Sequence, residues 1–286
     1  MANLKEIRTR ISSVKSTRQI TSAMKLVSAA KLRKAQNRIE QLRPYAEQLK
    51  HILSYASQSM ADDKDFVYAQ QRPVNKVLIV MVSSNKGLCG GFNANVVKKT
   101  VAEIKENYQD AKVEILAVGG KGADLFKKHP WDIIEKETEI FDKLTFNPVA
   151  EMAENLMQSF INKEYDKIIT VYNSFVNAAT QKVKAEQFLP VQIEEEEEEV
   201  SNYIYEPDKN TIARELIPKS LKTQFYEVLL DSNAAEHGAR MTSMQQATDN
   251  ASDLLDEITL KYNKARQASI TNEILEIVSG ANALEG

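Results

Sequence analysis

The first 58 residues contain no glycine and a single proline, Pro44. Steps of three and four from Leu4 reach Ile7, Ile11, Val14, Arg18, Thr21, Lys25, Ser28, Leu32, Ala35, Ile39, Leu42, Ala46, Leu49, Leu53 and Ala56. Of those sixteen positions twelve are apolar. A heptad sustained this long predicts a coiled-coil helix. At about 1.5 Å per residue it would run roughly 85 Å. Few single globular cores need such a helix, so a second long helix must cover its seam.

The four polar seam positions, Arg18, Thr21, Lys25 and Ser28, are consecutive. Across them the apolar residues move over by one place, to Ile20, Met24 and Val27. That shift predicts a local change in winding that turns Arg18 and Lys25 toward the edge of the seam. It is either a tolerated irregularity or a segment that faces a third partner.

The far end of the chain supplies the second helix. Met241, Met244, Ala247, Ala251, Leu254 and Ile258 repeat at the same spacing, and the alanines allow close approach. Pro218 is expected near the start of this helix, or at a kink in it. Two heptad helices at opposite ends of one chain predict an antiparallel pair. Charge favours it: residues 1–58 carry twelve Lys and Arg against three Asp and Glu, while 208–286 carry eight against twelve. The last turns, Ile270, Ile274, Leu275, Ile277, Val278, Ala281 and Leu284, are apolar over more than one stripe. The N-terminal helix is the shorter, so this tip should overhang it, and a surface so apolar expects to be enclosed by something outside the chain.

Between the helices, strand and helix patterns alternate. Lys76–Val82, Lys112–Gly120 and Lys167–Asn173 read as strands, and "QKVKAEQFLPVQ" as another, ending at Pro190. "NANVVKKTVAEIKENY", "KGADLFKK" and "NPVAEMAENLMQSFINKEY" read as helices. This is an α/β pattern with a largely parallel sheet. The acidic run Glu194–Glu199 must be solvated. The expected architecture is α/β: a long antiparallel two-helix coiled coil of the chain termini (1–60 and 208–286) with an inserted Rossmann-like α/β domain (61–207).

Composition narrows the function. One cysteine, Cys89, forbids an intrachain disulfide and a Cys-rich zinc site, and His51, His129 and His237 lack ligand spacing. No run approaches the length of a membrane span, and the start has neither an apolar core nor a cleavage site of a secretory signal. "SSNKGLCGGFN", Ser83–Asn93, lies between a strand and a helix, where phosphates are often held. Its lysine precedes the glycines, so it is no Walker loop, and Gly87, Gly90 and Gly91 do not fit GxGxxG. "GGKGADLF" fails too. The glycines are expected to supply positive φ at tight turns. No HExxH, GxSxG or acid–base pair with histidine is present. The residues describe a mechanical or docking protein rather than an enzyme, with no cofactor.

Three segments, "RTRISSVKSTRQITSAMKLVSAAKLRKAQ", "SSNKGLCGGFN" and "RQASITNEILEIVSGANALEG", together with "EHGARMTSMQQATDNA", resemble the gamma-subunit family of F-type ATP synthases. The resemblance spans the chain. It implies a rotor shaft inside a ring of three alpha and three beta subunits, with the α/β domain as a foot on the epsilon subunit and the membrane c-ring. Ion flow would turn ring and shaft, while nucleotides and chemistry belong to the surrounding subunits. The apolar tip would sit in a sleeve of the alpha–beta ring. Met24 and Lys25 match the segment that meets acidic beta-subunit loops, and Arg240 matches a residue near the level of Met24. Arg266 and Gln267 match a pair on a beta-subunit loop. Tyr203 and Tyr205 resemble the foot that faces the ring. Lys86 matches a basic residue that approaches an acidic beta loop. Where the family often has Asp-Arg, this chain has Asn85-Lys86, which keeps the charge and loses the bidentate fork. The cysteine-bearing segment of chloroplast relatives is missing, which argues against thiol control. With no evident transit peptide, the cytoplasmic face of a bacterial plasma membrane is the expected location. The rivals are a nucleic-acid-binding coiled coil, suggested by the basic first helix, and a nucleotide-dependent enzyme with a coiled-coil arm.

Overall fold

The computed structural model describes residues 4–58, 67–191 and 209–285. The chain divides into two compact units: Met1–Val27 with Met241–Gly286, and Ser28–Arg240. Helix α1 spans Leu4–Gln58 with Pro44 inside it, and helix α5 spans Lys209–Glu285 with Pro218 inside it. Pro218 thus lies ten residues into α5. Tyr203, Tyr205 and the run Glu194–Glu199 lie outside the described residues.

In the first unit, α1 and α5 form an antiparallel pair. Arg8 Nη2 donates to Tyr262 Oη at 2.9 Å, and Thr248 Oγ1 donates to Thr21 Oγ1 at 2.8 Å. The α5 side buries Met244, Ala251 and Ile258, one every seven residues. On the α1 side the expected displaced stripe is covered only at Met24. Leu4, Ile7, Ile11, Val14, Arg18, Thr21 and Lys25 remain the covered positions, at unbroken three-four spacing. Ile20 and Val27, which would define a displaced seam, are 60% and 57% exposed. Helix geometry carries the seam on through polar residues; Ile20 and Val27 stay outside, while Met24 is half-buried beside Lys25.

In the second unit a five-stranded sheet has the order β3-β2-β1-β4-β5. The strands are β1 Lys76–Val82, β2 Lys112–Val118, β3 Asp132–Glu137, β4 Lys167–Phe175 and β5 Gln181–Leu189. The first four are parallel, and β5 returns antiparallel to β4. β1 and β2 are buried nearly end to end, as strands covered on both faces must be. Helices α2 (Phe92–Asn107) and α3 (Gly120–Phe126) cover one face, where Val96, Ile104 and Phe126 meet Val77, Ile79 and Ile115. Helix α4, Phe146–Ile161, packs on the other with Val149, Ala153, Leu156, Met157 and Phe160 inward. Part of α5 closes this unit: Phe225 packs against Phe188 of β5 in a tilted pair with ring centroids 5.5 Å apart. β3 has no counterpart among the expected strands.

Candidate functional site

In a sheet of this kind ligands bind outside the carboxyl ends of the strands, where the strand order reverses. Here that point lies between β1 and β4, and the glycine loop Ser83–Gly91 follows β1. The crevice is filled by the chain itself. Cys89 and Phe92 pack against Ala235 and Ala239 of α5, with Phe175 of β4 alongside. Asn173 Nδ2 donates to the Phe92 carbonyl at 3.2 Å and ties β4 to the start of α2. A nucleotide would have to displace α5.

The loop's polar groups are used internally. Asn93 Oδ1 accepts from the Ser84 amide at 2.9 Å, and Ser84 Oγ donates to the Lys86 carbonyl at 2.7 Å. Asn85 reaches sideways, donating to the Thr138 carbonyl at 2.5 Å and accepting from the Gly120 amide at 3.0 Å. In the loop positive φ falls on Leu88 (+62°) and Gly90 (+59°), and after β2 on Gly119 (+104°). This corrects the expectation for Gly87 and Gly91: neither has positive φ, and a leucine does.

Arg240 is the hub of the crevice. Its Nη2 donates to the carbonyls of Lys86 (2.9 Å) and Gly87 (3.3 Å), and its Nε donates to Gly87 at 3.4 Å. Its Nη1 pairs with Glu236 Oε1 at 2.6 Å, one helical turn back. The neighbouring His237 Nδ1 is 3.4 Å from the same nitrogen. All three side chains are buried. Burial pushes the Glu236 carboxyl up, with Arg240 pulling against it. Burial first, then the charges of Arg240 and Lys31, hold the His237 imidazole down at about 4.

The other expected contact residues are dispersed. Met24 and Lys25 are half-buried on α1, and Arg266 and Gln267 are exposed on α5, all in the first unit. Lys86 is exposed on the glycine loop in the second. Arg240 lies inside, its guanidinium engaged within the chain. Sequence reasoning passed over Glu236 and Leu88, and weighed His237 only as a metal ligand. The spacing of Glu236 and Arg240 at i and i+4 is a signal, but an ordinary one on exposed helices. Leu88, an apolar residue among three glycines, was the more specific clue.

The tip of α5 is open: Ile270, Ile274, Leu275, Ile277 and Val278 are 48–72% exposed. Among the described residues, no helix is long and apolar enough to cross a membrane.

The family model for ATP synthase matches residues 3–284. The chain is 54% identical to the ATP synthase gamma chain of Christiangramia forsetii over 287 residues, covering all of both chains. It is 53% identical to that of Flavobacterium psychrophilum, again over the whole of both. Among solved structures it is similar to a chain of the Euglena gracilis mitochondrial ATP synthase OSCP/F1/c-ring assembly. The TM-score is 0.68 at 20% identity, covering 98% of this chain and 94% of that one. The nucleic-acid-binding alternative finds no support in these full-length matches.

Proposed function

The chain belongs to the ATP synthase gamma-chain family, and from that premise we propose that it is the central rotor shaft of a two-sector ATP synthase. It is a subunit of an enzyme complex. Its own part is mechanical, and the nucleotides and the chemistry belong to three alpha and three beta subunits around it. The observation that carries the reading is the tip of α5. Five large aliphatic side chains within nine residues, Ile270, Ile274, Leu275, Ile277 and Val278, are each about half exposed or more, a concentration that marks a surface meant to be covered. An apolar sleeve around a rotating tip supplies the missing cover without fixing its angle, because apolar contact is non-directional. The plugged crevice at the ends of β1 and β4 supports the same division of labour.

Met24, Lys25, Lys86, Arg266 and Gln267 are the residues proposed to meet the beta subunits, and Arg240 is proposed to take part from within the second unit. Residues 61–207, Tyr203 and Tyr205 included, form the proposed foot on the epsilon subunit and the c-ring. This places the chain at the cytoplasmic face of a bacterial plasma membrane, held there through its partners. Exposed ion pairs are worth about 0–1 kcal/mol each, so none locks the shaft at one angle. Torque then comes from steric contact with a stiff coil. Native mass spectrometry of the complex purified from its own membranes tests the reading. One copy with three each of two nucleotide-binding subunits is expected. The chain alone, or bound to nucleic acid, would overturn it.

A further inference from the structure

Within the second unit, α5 lies against the hairpin of β4 and β5 along a seam that combines close packing with unbalanced charge. Phe225 packs on Phe188 at one end. At the other, Gly238 comes so near that a Cβ there would stand 3.3 Å from the Ala178 carbonyl oxygen and from the Phe175 ring. Between those ends α5 presents Glu227 and Asp231, one turn apart on the same face. Asp231 Oδ1 accepts from the Phe175 amide at 3.0 Å, and the Ser174 hydroxyl bonds to the same carboxylate. From β5, Glu186 accepts from Tyr172 Oη of β4 at 2.8 Å and pairs with Lys184 Nζ at 3.0 Å. From α1, Arg43 and Glu47 face Glu227. Four carboxylates therefore share two cations, and the Glu186 charge bears on both Glu227 and Asp231. Burial first, then the charge of Asp231, pushes the Glu227 carboxyl up, and burial pushes Asp231 up as well.

We propose that this seam is a proton-operated clasp: Glu227, Asp231 and Glu186 repel one another when all are ionised, and a proton taken up by Glu227 or Asp231 tightens α5 onto the β4–β5 hairpin. The proton belongs to the pair rather than to either residue, since each carboxylate raises the other's hold on it. Among the described residues no group of carboxylates is placed to hold a metal ion instead. The closed seam gains as pH falls through the raised values of these carboxyls. Below the ordinary values, 4.5 for Glu and 3.8 for Asp, the open seam is protonated too and the gain stops. His237, further along α5, titrates with the opposite effect, so variants have to be compared at each pH. The inference rests on the fold of the second unit and not on the rotor reading. In a shaft, the clasp sets how stiffly α5 and the sheet turn together.

The test is hydrogen exchange of the β5 amides in the full chain at about pH 7.5 and about pH 5.5, corrected for the direct effect of pH on exchange. Glu227→Gln keeps the shape of the side chain and removes its charge. At the higher pH this variant should be protected about threefold or more above the unsubstituted chain, and at the lower pH the two should differ by less than about twofold. A carboxylate with a merely structural role gives the reverse, lower protection in the variant at both pH values, and that result overturns the clasp. So does a ratio between variant and unsubstituted chain that is the same at both pH values. If Glu227→Gln does not fold, Asp231→Asn, which keeps an oxygen for the Phe175 amide, is read in the same way against the same outcomes.

Discussion

At Gly119 a Cβ would stand 2.2 Å from the Ser83 carbonyl oxygen, and φ is already +104°. Two penalties coincide there, a conformation that L side chains avoid and a collision with backbone that cannot swing aside. Gly119→Ala should therefore destabilise the second unit by about 3 kcal/mol or more. Gly91→Ala meets only the mobile end of Asn95 at 3.2 Å and should cost far less. Comparing urea midpoints of the two variants checks this, and equal midpoints would contradict it. His237 makes a second case at this scale. Its folded pKa lies near 4, below the ordinary value near 6.5. Between those values the unfolded chain takes up a proton that the folded chain refuses. Stability should thus fall as pH drops through that window, by up to about 3 kcal/mol. Glu236, pushed up by burial, works in the opposite direction, because its folded form accepts a proton more readily. His237→Gln should flatten the acid side of the stability curve and Glu236→Gln should steepen it, as read from urea midpoints between pH 7 and 4.5. Glu114, held at about 2 chiefly by its hydrogen bond to Lys112, loses its contribution only between about pH 4.5 and 2. Its effect lies below most of the histidine window.

Among the elements, the seam of α1 shows what hydrophobicity alone misreads. Ile20, Met24 and Val27 suggest a displaced stripe, yet Thr21 is buried on the original one and bonded to Thr248. Period and apolarity normally agree, and where they part, geometry decides which side chain faces the neighbouring helix. Replacing both hydroxyls with Val removes a matched pair and leaves no orphan, so Thr21→Val with Thr248→Val should hold or raise the stability of the coil. Each single variant should cost under about 1 kcal/mol, since the hydroxyl that remains still has a carbonyl of its own helix to donate to, Arg18 for Thr21 and Met244 for Thr248. Thermal unfolding of the full chain would show it, and a double variant weaker than the sum of its singles would refute it. The strands β1, β2, β4 and β5 were legible because long apolar or alternating runs end at turn residues. β3, "DIIEKE", was not. It is an edge strand with charges at four of six positions, paired on one side only, and its register slips opposite Ile115 and Leu116. Such a strand exists because β2 is already there to pair with it, and local sequence does not contain that fact. The inward turn of Arg240 was hidden for a similar reason, since its acceptors are carbonyls more than 150 positions away.

For the whole molecule, the basic excess of residues 1–58 and the acidic excess elsewhere offer the shaft many weak charged contacts rather than a set of specific locks. A rotor that passes three equivalent positions in each turn needs contacts that are easily exchanged. Lys25 stands at a covered seam position, with Met24 beside it on α1. Lys25→Ala puts a small apolar residue at a position where the seam already tolerates alanine, and it removes one exchangeable charge. Assembly should survive it, with ATP-driven ion pumping per ATP hydrolysed reduced by less than about twofold, the scale of a single exposed pair. Met24→Lys acts differently. It adds a second cation beside the first, so an acidic loop would hold the shaft more strongly at each of the three equivalent positions and every exchange between them would be slower. Hydrolysis would continue, while pumping per ATP should fall severalfold and drop below the Lys25→Ala value. Parallel measurement of hydrolysis and of uptake of the transported ion in inverted membrane vesicles decides it. Equal ratios in the two variants would show that charge at this level does not set the coupling, and that shape alone transmits torque.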